Sequence, residues 1–274
     1  KKNANIITGT GNSYYNRLLS SILKKENLEI TRFNHGGERC FYEDNYYWEK
    51  GDLFQTDKYI TYGIKWKYYL ERILEKNINT KILAIGSNYH KEIYNKFFHR
   101  ENQNNKKILY IPNSFIGEIR VFPYAKLIDP ILFDWQKNLI EVLQSNGFDV
   151  IYKKHPKGFL QGENFLGKLA ASESTKPMIE ALEEADMVLC DMAGSAFIES
   201  LCAGKKIVLI DTLQRPFDVT NKQELASAVK IIEAYWQGNI LKIDENKLVD
   251  LFNNFDINRE DMNKLVNDYY LSSE

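Results

Sequence analysis

Short apolar runs rich in Ile, Val and Leu, each followed by an amphipathic stretch, recur along the whole chain, and this alternation restricts the fold more than any other feature. "NIITGT" (4–9) precedes "SYYNRLLSSILKKE" (13–26), and "LEITRF" (28–33) precedes the loop "NHGGERC". "DKYITYG" (57–63), "KWKYYLERILEK" (65–76) and "KILAIGS" (81–87) continue the series. It restarts with "KKILYIP" (106–112), a helical stretch at 131–146, "DVIYKKHP" (149–156) and a short helical stretch near 177–185. "MVLCD" (187–191), a helix from Ser195 to Ala203 and "KKIVLID" (205–211) follow. Apolar spacing predicts helices over 221–237 and 244–270. Strand–helix–strand units of this kind imply an α/β fold with parallel sheets covered by helices on both faces.

The polar stretch "HRENQNNKK" (99–107) has no apolar residue and reads as a linker. It divides the chain into two Rossmann-like lobes, residues 1–100 and 106–274. The first lobe is thin for such a fold and opens directly on a strand, so it is expected to be N-terminally truncated. With 274 residues, 44% of them hydrophobic, the chain can bury a core in each lobe.

Formal charge is −1, so bulk electrostatics point to neither nucleic acid nor an acidic membrane surface. Three scattered cysteines (Cys40, Cys190, Cys202) without CxxC spacing argue against a disulfide framework and a zinc site, and favour a reducing, cytoplasmic setting. No apolar run approaches the roughly 20 residues needed to span a bilayer.

In open parallel sheets, ligands bind beyond the carboxyl ends of the strands. "DMAGSAFIESLCAG" (191–204) runs from such an end into a helix, whose free N–H groups and dipole favour an anion. Gly194 permits close backbone approach, and Ser195 either caps the helix or offers its hydroxyl to a phosphate. Glu199, one turn on, suits a ribose diol. The structural alternative makes Ser195 a plain N-cap and Glu199 a solvated side chain. "YKKHPKG" (152–158) ends another strand on the same predicted rim, where Lys153, Lys154 and His155 precede Pro156, which forces an extended backbone. A histidine or lysine beside a helix N-terminus can hold a departing phosphate. Two anion-friendly elements on one rim favour a nucleotide site.

In the first lobe, "NHGGERC" places His35, Gly36 and Gly37 on that lobe's own carboxyl rim, the glycines allowing a tight turn. His35, Glu38 and Asp44 are the titratable groups there that can act as a base toward an acceptor hydroxyl, and the choice among them stays open. Ser87, in "IGSN", ends a further strand on the acceptor side. Arg215 falls near the second lobe's rim, and an arginine beside a loop proline is its simpler explanation. His90 and His99 read as surface residues of a helix.

These residues resemble a known group. Two Rossmann-like lobes with the "HP" of "KKHP" and a small-residue-Ser turn are similar to GT-B glycosyltransferases of bacterial surface polysaccharide synthesis. The likeness is to Kdo transferases and sialyltransferases and, more distantly, to CDP-glycerol glycerophosphotransferases. "NHGG…DKYITYG" looks like the His-Gly-Gly plus D-x-Y-x-T-x-G pattern of allied surface-carbohydrate proteins. The resemblance implies a cytoplasmic, metal-independent transferase, with peripheral association at the cytoplasmic face of the inner membrane through its acceptor or other assembly enzymes. Its partners would be a CMP-activated acidic sugar as co-substrate, no further cofactor, and a glycan or glycolipid acceptor. His155 would contact the nucleotide phosphate, with the Ser195 turn beside it, and the resemblance leaves the general base unassigned. Two departures stand out: Gly194-Ser195 replaces the usual Ser-Ser or Ser-Thr pair, and the first lobe lacks a clear acidic pair followed by glycine. A CDP-glycerol or CDP-ribitol phosphotransferase and a non-catalytic assembly scaffold are the competing expectations.

Overall fold

The parallel sheets expected from the alternation are present in a computed structural model that describes residues 5–43, 45–73, 79–100, 106–115, 127–156, 165–256 and 258–273. Four strands, β1 (Asn5–Thr8), β2 (Glu29–Phe33), β3 (Lys58–Thr61) and β4 (Lys81–Ala84), pair in parallel in the order β1-β2-β3-β4. Helices α1 (Tyr14–Lys25), α2 (Asn45–Leu53) and α3 (Ile64–Ile73) make the crossovers, and α4 (Asn88–Phe97) follows β4.

A second sheet of six parallel strands contains β5 (Lys107–Ile111), β6 (Asp149–Lys153), β7 (Ser172–Ser174), β8 (Met187–Cys190), β9 (Lys206–Asp211) and β10 (Lys230–Glu233). Its order is β10-β9-β8-β5-β6-β7, so the winding reverses between β5 and β8. Such a reversal leaves a crevice beyond the carboxyl ends of the two strands, the usual ligand position in a doubly wound sheet. The connecting helices are α5 (Asp129–Ser145), α6 (Phe165–Leu169), α7 (Met178–Ala181), α8 (Ser195–Cys202) and α9 (Val219–Ala228).

The middle residues of β5, β6 and β8 are buried on both faces, as parallel strands between two helical layers must be. One face carries Ile108, Tyr110, Val150, Tyr152 and Leu189 against the α5 stripe of Leu132, Trp135, Leu139, Ile140 and Leu143. By alternation the opposite face carries Leu109, Val188 and Cys190, and buried Phe197, Ile198 and Leu201 of α8 supply apolar cover. Among the described residues no helix is long and apolar enough to cross a membrane.

Two units divide the chain: Lys1–Glu92 with Phe217–Lys222 and Asn263–Glu274, and Ile93–Pro216 with Gln223–Met262. This grouping differs from a single break at 100–106, most of which lies outside the described residues. The first unit ends at Glu92, inside α4, and gains Phe217–Lys222 and the C-terminal tail. A β11 (Tyr235–Gln237) and β12 (Ile240–Lys242) hairpin is followed by α10 (Glu245–Asn253), α11 (Arg259–Val266) and a π-helical turn, Asn267–Leu271. Within unit 1, Gly63 N–H donates to Tyr269 O at 2.8 Å, and Ser87 N–H donates to Tyr270 O at 2.9 Å. Tyr270 is fully buried, and its hydroxyl donates to Gly37 O at 3.0 Å. The helix expected over 221–237 is also corrected. It stops at Ala228, because Lys230–Glu233 gains a full parallel register against Val208–Asp211 at the sheet edge.

Candidate functional site

The crevice of unit 2 is built around a buried carboxylate. Asp191, directly after β8, is 1% exposed and accepts hydrogen bonds from Tyr110 Oη at 2.9 Å and from the Asn113 N–H. Gln136 Nε2 of α5 donates to Asn113 O at 2.8 Å, and Tyr152 Oη donates to Gln136 Oε1 at 3.0 Å. These bonds tie β8, the turn after β5, α5 and β6 together behind the rim, across the point where the winding reverses. Burial pushes the Asp191 carboxyl up to about 7, although the bonds from Tyr110 and Asn113 pull the other way. The Tyr110 hydroxyl is raised well above its ordinary value, first by burial and then by Asp191.

In front of this network, Gly194 is the N-cap of α8, with φ −119° and ψ −170° and no side-chain cap. Ser195 is therefore the first helical residue and not the cap, which corrects the N-cap alternative; its side chain is exposed. No acidic residue occupies the first turn, so the positive end of the helix dipole is open to an anion. A Cβ added at Gly194 would meet nothing nearer than Met192 Cε at 3.7 Å. Neither backbone conformation nor packing asks for glycine here. A Cβ here would make only ordinary van der Waals contact with Met192.

Lys153, Lys154, His155 and Pro156 leave the carboxyl end of β6, separated from β8 only by β5. Two strand spacings put these turns roughly 10 Å apart. His155 and Pro156 are exposed, and Lys154 N–H donates to Ser174 O at 3.1 Å. Lys153 is half-buried; burial lowers its ammonium, while Glu199 and then Glu184 raise it. The field of Glu199, one turn into α8, thus reaches the basic end of β6. Arg215 is partly buried beyond β9, where Asp211 Oδ1 accepts from Leu213 N–H at 2.9 Å.

In unit 1, His35 follows β2 and is exposed, while Gly36 and Gly37 adopt φ +88° and +80°, the left-handed turn that a pair of glycines allows. Glu38 is partly buried, and its charge helps raise the Cys40 thiol and the Tyr62 hydroxyl, both dominated by burial. Ser87 Oγ accepts from His90 N–H at 3.3 Å, so this hydroxyl caps α4. Asp44 lies outside the described residues. His90 is 6% exposed, which corrects the surface expectation. It packs among the rings of Tyr62, Tyr89 and Tyr270, and burial drops its imidazole to about 4. His99 is exposed.

Asp191, Asn113 and Gln136 were not singled out by sequence. An aspartate after an apolar strand is a common turn residue, and only the β5–β8 register (Tyr110 opposite Leu189, Ile111 opposite Cys190) brings Tyr110 to it. Among the described residues no group of three or more His, Cys, Asp or Glu side chains converges as a metal site.

No protein family's sequence profile matches the chain, and no curated protein does. Solved structures do. A Listeria monocytogenes protein named for UDP-N-acetylglucosamine 2-epimerase activity superposes with TM-score 0.55 at 13% identity, over 97% of this chain and 70% of that one. Staphylococcus aureus MnaA, solved with UDP, gives TM-score 0.54 at 11% identity, over 98% and 72%. Phytolacca americana UGT2, complexed with UDP-2-fluoro-glucose and pterostilbene, gives 0.51 at 11%, over 95% and 69%. The fold is α/β with two Rossmann-like parallel sheets, the GT-B type that these proteins share.

Proposed function

We propose that the chain is a nucleotide-sugar-dependent glycosyltransferase whose donor phosphate sits on the rim of unit 2. The observation that carries this reading is the α8 N-terminus at Gly194, without a side-chain cap or a first-turn carboxylate, set beside the basic end of β6 at the winding reversal. Ser195 and the first-turn N–H groups take the phosphate, His155 and Lys153 neutralise its growing charge as the sugar departs, and Glu199 takes the ribose hydroxyls. In this reading unit 1 presents a glycan acceptor, with His35 and Glu38 as candidate bases. The "HP" resemblance makes a CMP-linked acidic sugar, Kdo or sialic-acid-like, the donor of choice. Transfer proceeds without a metal ion, the sequence holding no Asp-x-Asp pair, and EDTA leaves turnover intact.

A second reading, a UDP-sugar enzyme, is supported by the UDP in the names of the structural neighbours. Calorimetry with CMP, CDP and UDP separates the two. His155→Ala is expected to weaken nucleotide binding about 10- to 100-fold, the loss of one charge-assisted hydrogen bond, with little change in melting temperature. Absence of binding by every pyrimidine nucleotide, with the fold intact, overturns both readings and leaves a scaffold.

A further inference from the structure

Three glycines of the sequence motifs stand in a row on the carboxyl rim of unit 1: Gly37 after β2, Gly63 after β3 and Gly86 after β4, strands that neighbour one another. The space their side chains would take is filled by the segment Asp268–Leu271. A Cβ at Gly63 would stand 2.5 Å from Asp268 O, one at Gly86 2.7 Å from Leu271 O, and one at Gly37 3.3 Å from the Tyr270 ring. Gly37 and Gly86 also take left-handed φ angles, +80° and +70°. Gly63 does not, so packing against this segment is the reason for glycine there. Backbone pairing follows the same path: besides the bonds from Gly63 and Ser87, Ile64 N–H donates to Ser272 Oγ at 3.2 Å, and Ile85 bridges Ser273. The segment thus closes the rim over β3 and β4, and Ser87 has both its N–H and its hydroxyl engaged.

The same segment reaches the turn that carries His35. Gly37 O accepts from the Tyr270 hydroxyl at 3.0 Å and from Trp66 Nε1 at 3.3 Å, and both donor residues are fully buried. A Gly-Gly turn has little stiffness of its own, because glycine has more backbone freedom to lose than any other residue. Two buried donors on one carbonyl supply that stiffness. We propose that Tyr270 is a positioning residue for the acceptor side of unit 1. From 233 residues further along the chain it fixes the His35–Gly36–Gly37 turn, while Asp268–Leu271 confines an acceptor to the ends of β1 and β2. What approaches His35 follows from the glycosyltransferase reading; the hold on the turn does not depend on it. A base must lie within hydrogen-bond reach of the proton it takes, so a loosened turn lowers turnover without touching the nucleotide.

Tyr270→Phe keeps the ring and removes the hydroxyl. In backbone amide relaxation by NMR on the full chain, order parameters of Gly36 and Gly37 should fall from about 0.85, the rigid-backbone value, to below about 0.6. Transfer from CMP-N-acetylneuraminic acid to lactose should drop in kcat about 10-fold or more, with CDP binding by calorimetry unchanged. Trp66→Phe removes the other donor to the same carbonyl and should loosen the same two glycines, which keeps the test open if Tyr270→Phe fails to fold. Unchanged order parameters in a folded variant overturn the proposal. So does a loosened turn with the full transfer rate, or an equal loss of CDP binding. If the wild type transfers nothing and binds no CDP, the glycosyltransferase reading fails, and the order parameters alone decide whether Tyr270 holds the turn.

Discussion

Gly194 and Asp191 occupy neighbouring turns of chain yet answer to different demands. Gly194 has no internal reason to be glycine, so its replacement separates folding from binding. Gly194→Asp supplies the missing N-cap and a carboxylate at the positive helix end, and is expected to raise stability by up to about 1 kcal/mol. The same carboxylate repels a phosphate, so calorimetry should find nucleotide binding lost while the denaturation midpoint rises. Asp191 carries a proton in the fold up to about 7, against 3.8 for the ordinary group. Between those values the native state binds more protons than the unfolded chain, so this residue makes stability fall as pH rises from about 4 to about 7. Asp191→Asn should remove that contribution; urea denaturation at pH 5 and pH 7.5 should show a smaller loss on raising the pH than in the wild type. An unchanged difference would mean that Asp191 is ionised in the fold.

At the scale of elements, unit 1 is held by buried charge as much as by apolar packing. Arg32 of β2 is 1% exposed and donates through Nη1 to Asp52 O, Phe54 O and Thr56 Oγ1 at 2.8–2.9 Å, and through Nη2 to Ser20. Arg39 Nη1 donates to Asp52 Oδ2 at 2.7 Å, and the other oxygen of Asp52 accepts from the Thr10 hydroxyl and Gly11 N–H, both at 2.6 Å. One guanidinium thus joins α1, β2 and the end of α2. Arg32→Ala removes four buried hydrogen bonds, leaving Asp52 O only the Thr56 hydroxyl at 2.8 Å, and should cost about 3–5 kcal/mol, read as an earlier denaturation of unit 1.

Over the whole molecule, the tail is part of the unit that begins the chain. Tyr269 and Tyr270 are 2% and 0% exposed, and Tyr270 fills the space between Gly37, Tyr62 and His90. Deleting residues 263–274 is expected to expose the amides of β3 and β4 to hydrogen exchange while β5, β6 and β8 keep their protection. Equal loss of protection in both sheets would show that the two units unfold as one. Periodicity cannot see such a return, because the tail's residues have no local partner that reveals where they pack.

The parallel sheets, the alternation of β1–β6, β8 and β9 with helices, the glycine turn at 36–37 and the places of His155 and Ser195 after β6 and β8 were legible in the residues alone, because each depends on local spacing and on strand direction; the short strands β7, β10, β11 and β12 were not. Two other features came only from tertiary structure: the carboxylate of Asp191 held by Tyr110 and Asn113, and burial of His90. Each depends on which distant segment lies alongside. Desolvation and long-range hydrogen bonds are set by those neighbours and leave no periodic trace in the chain.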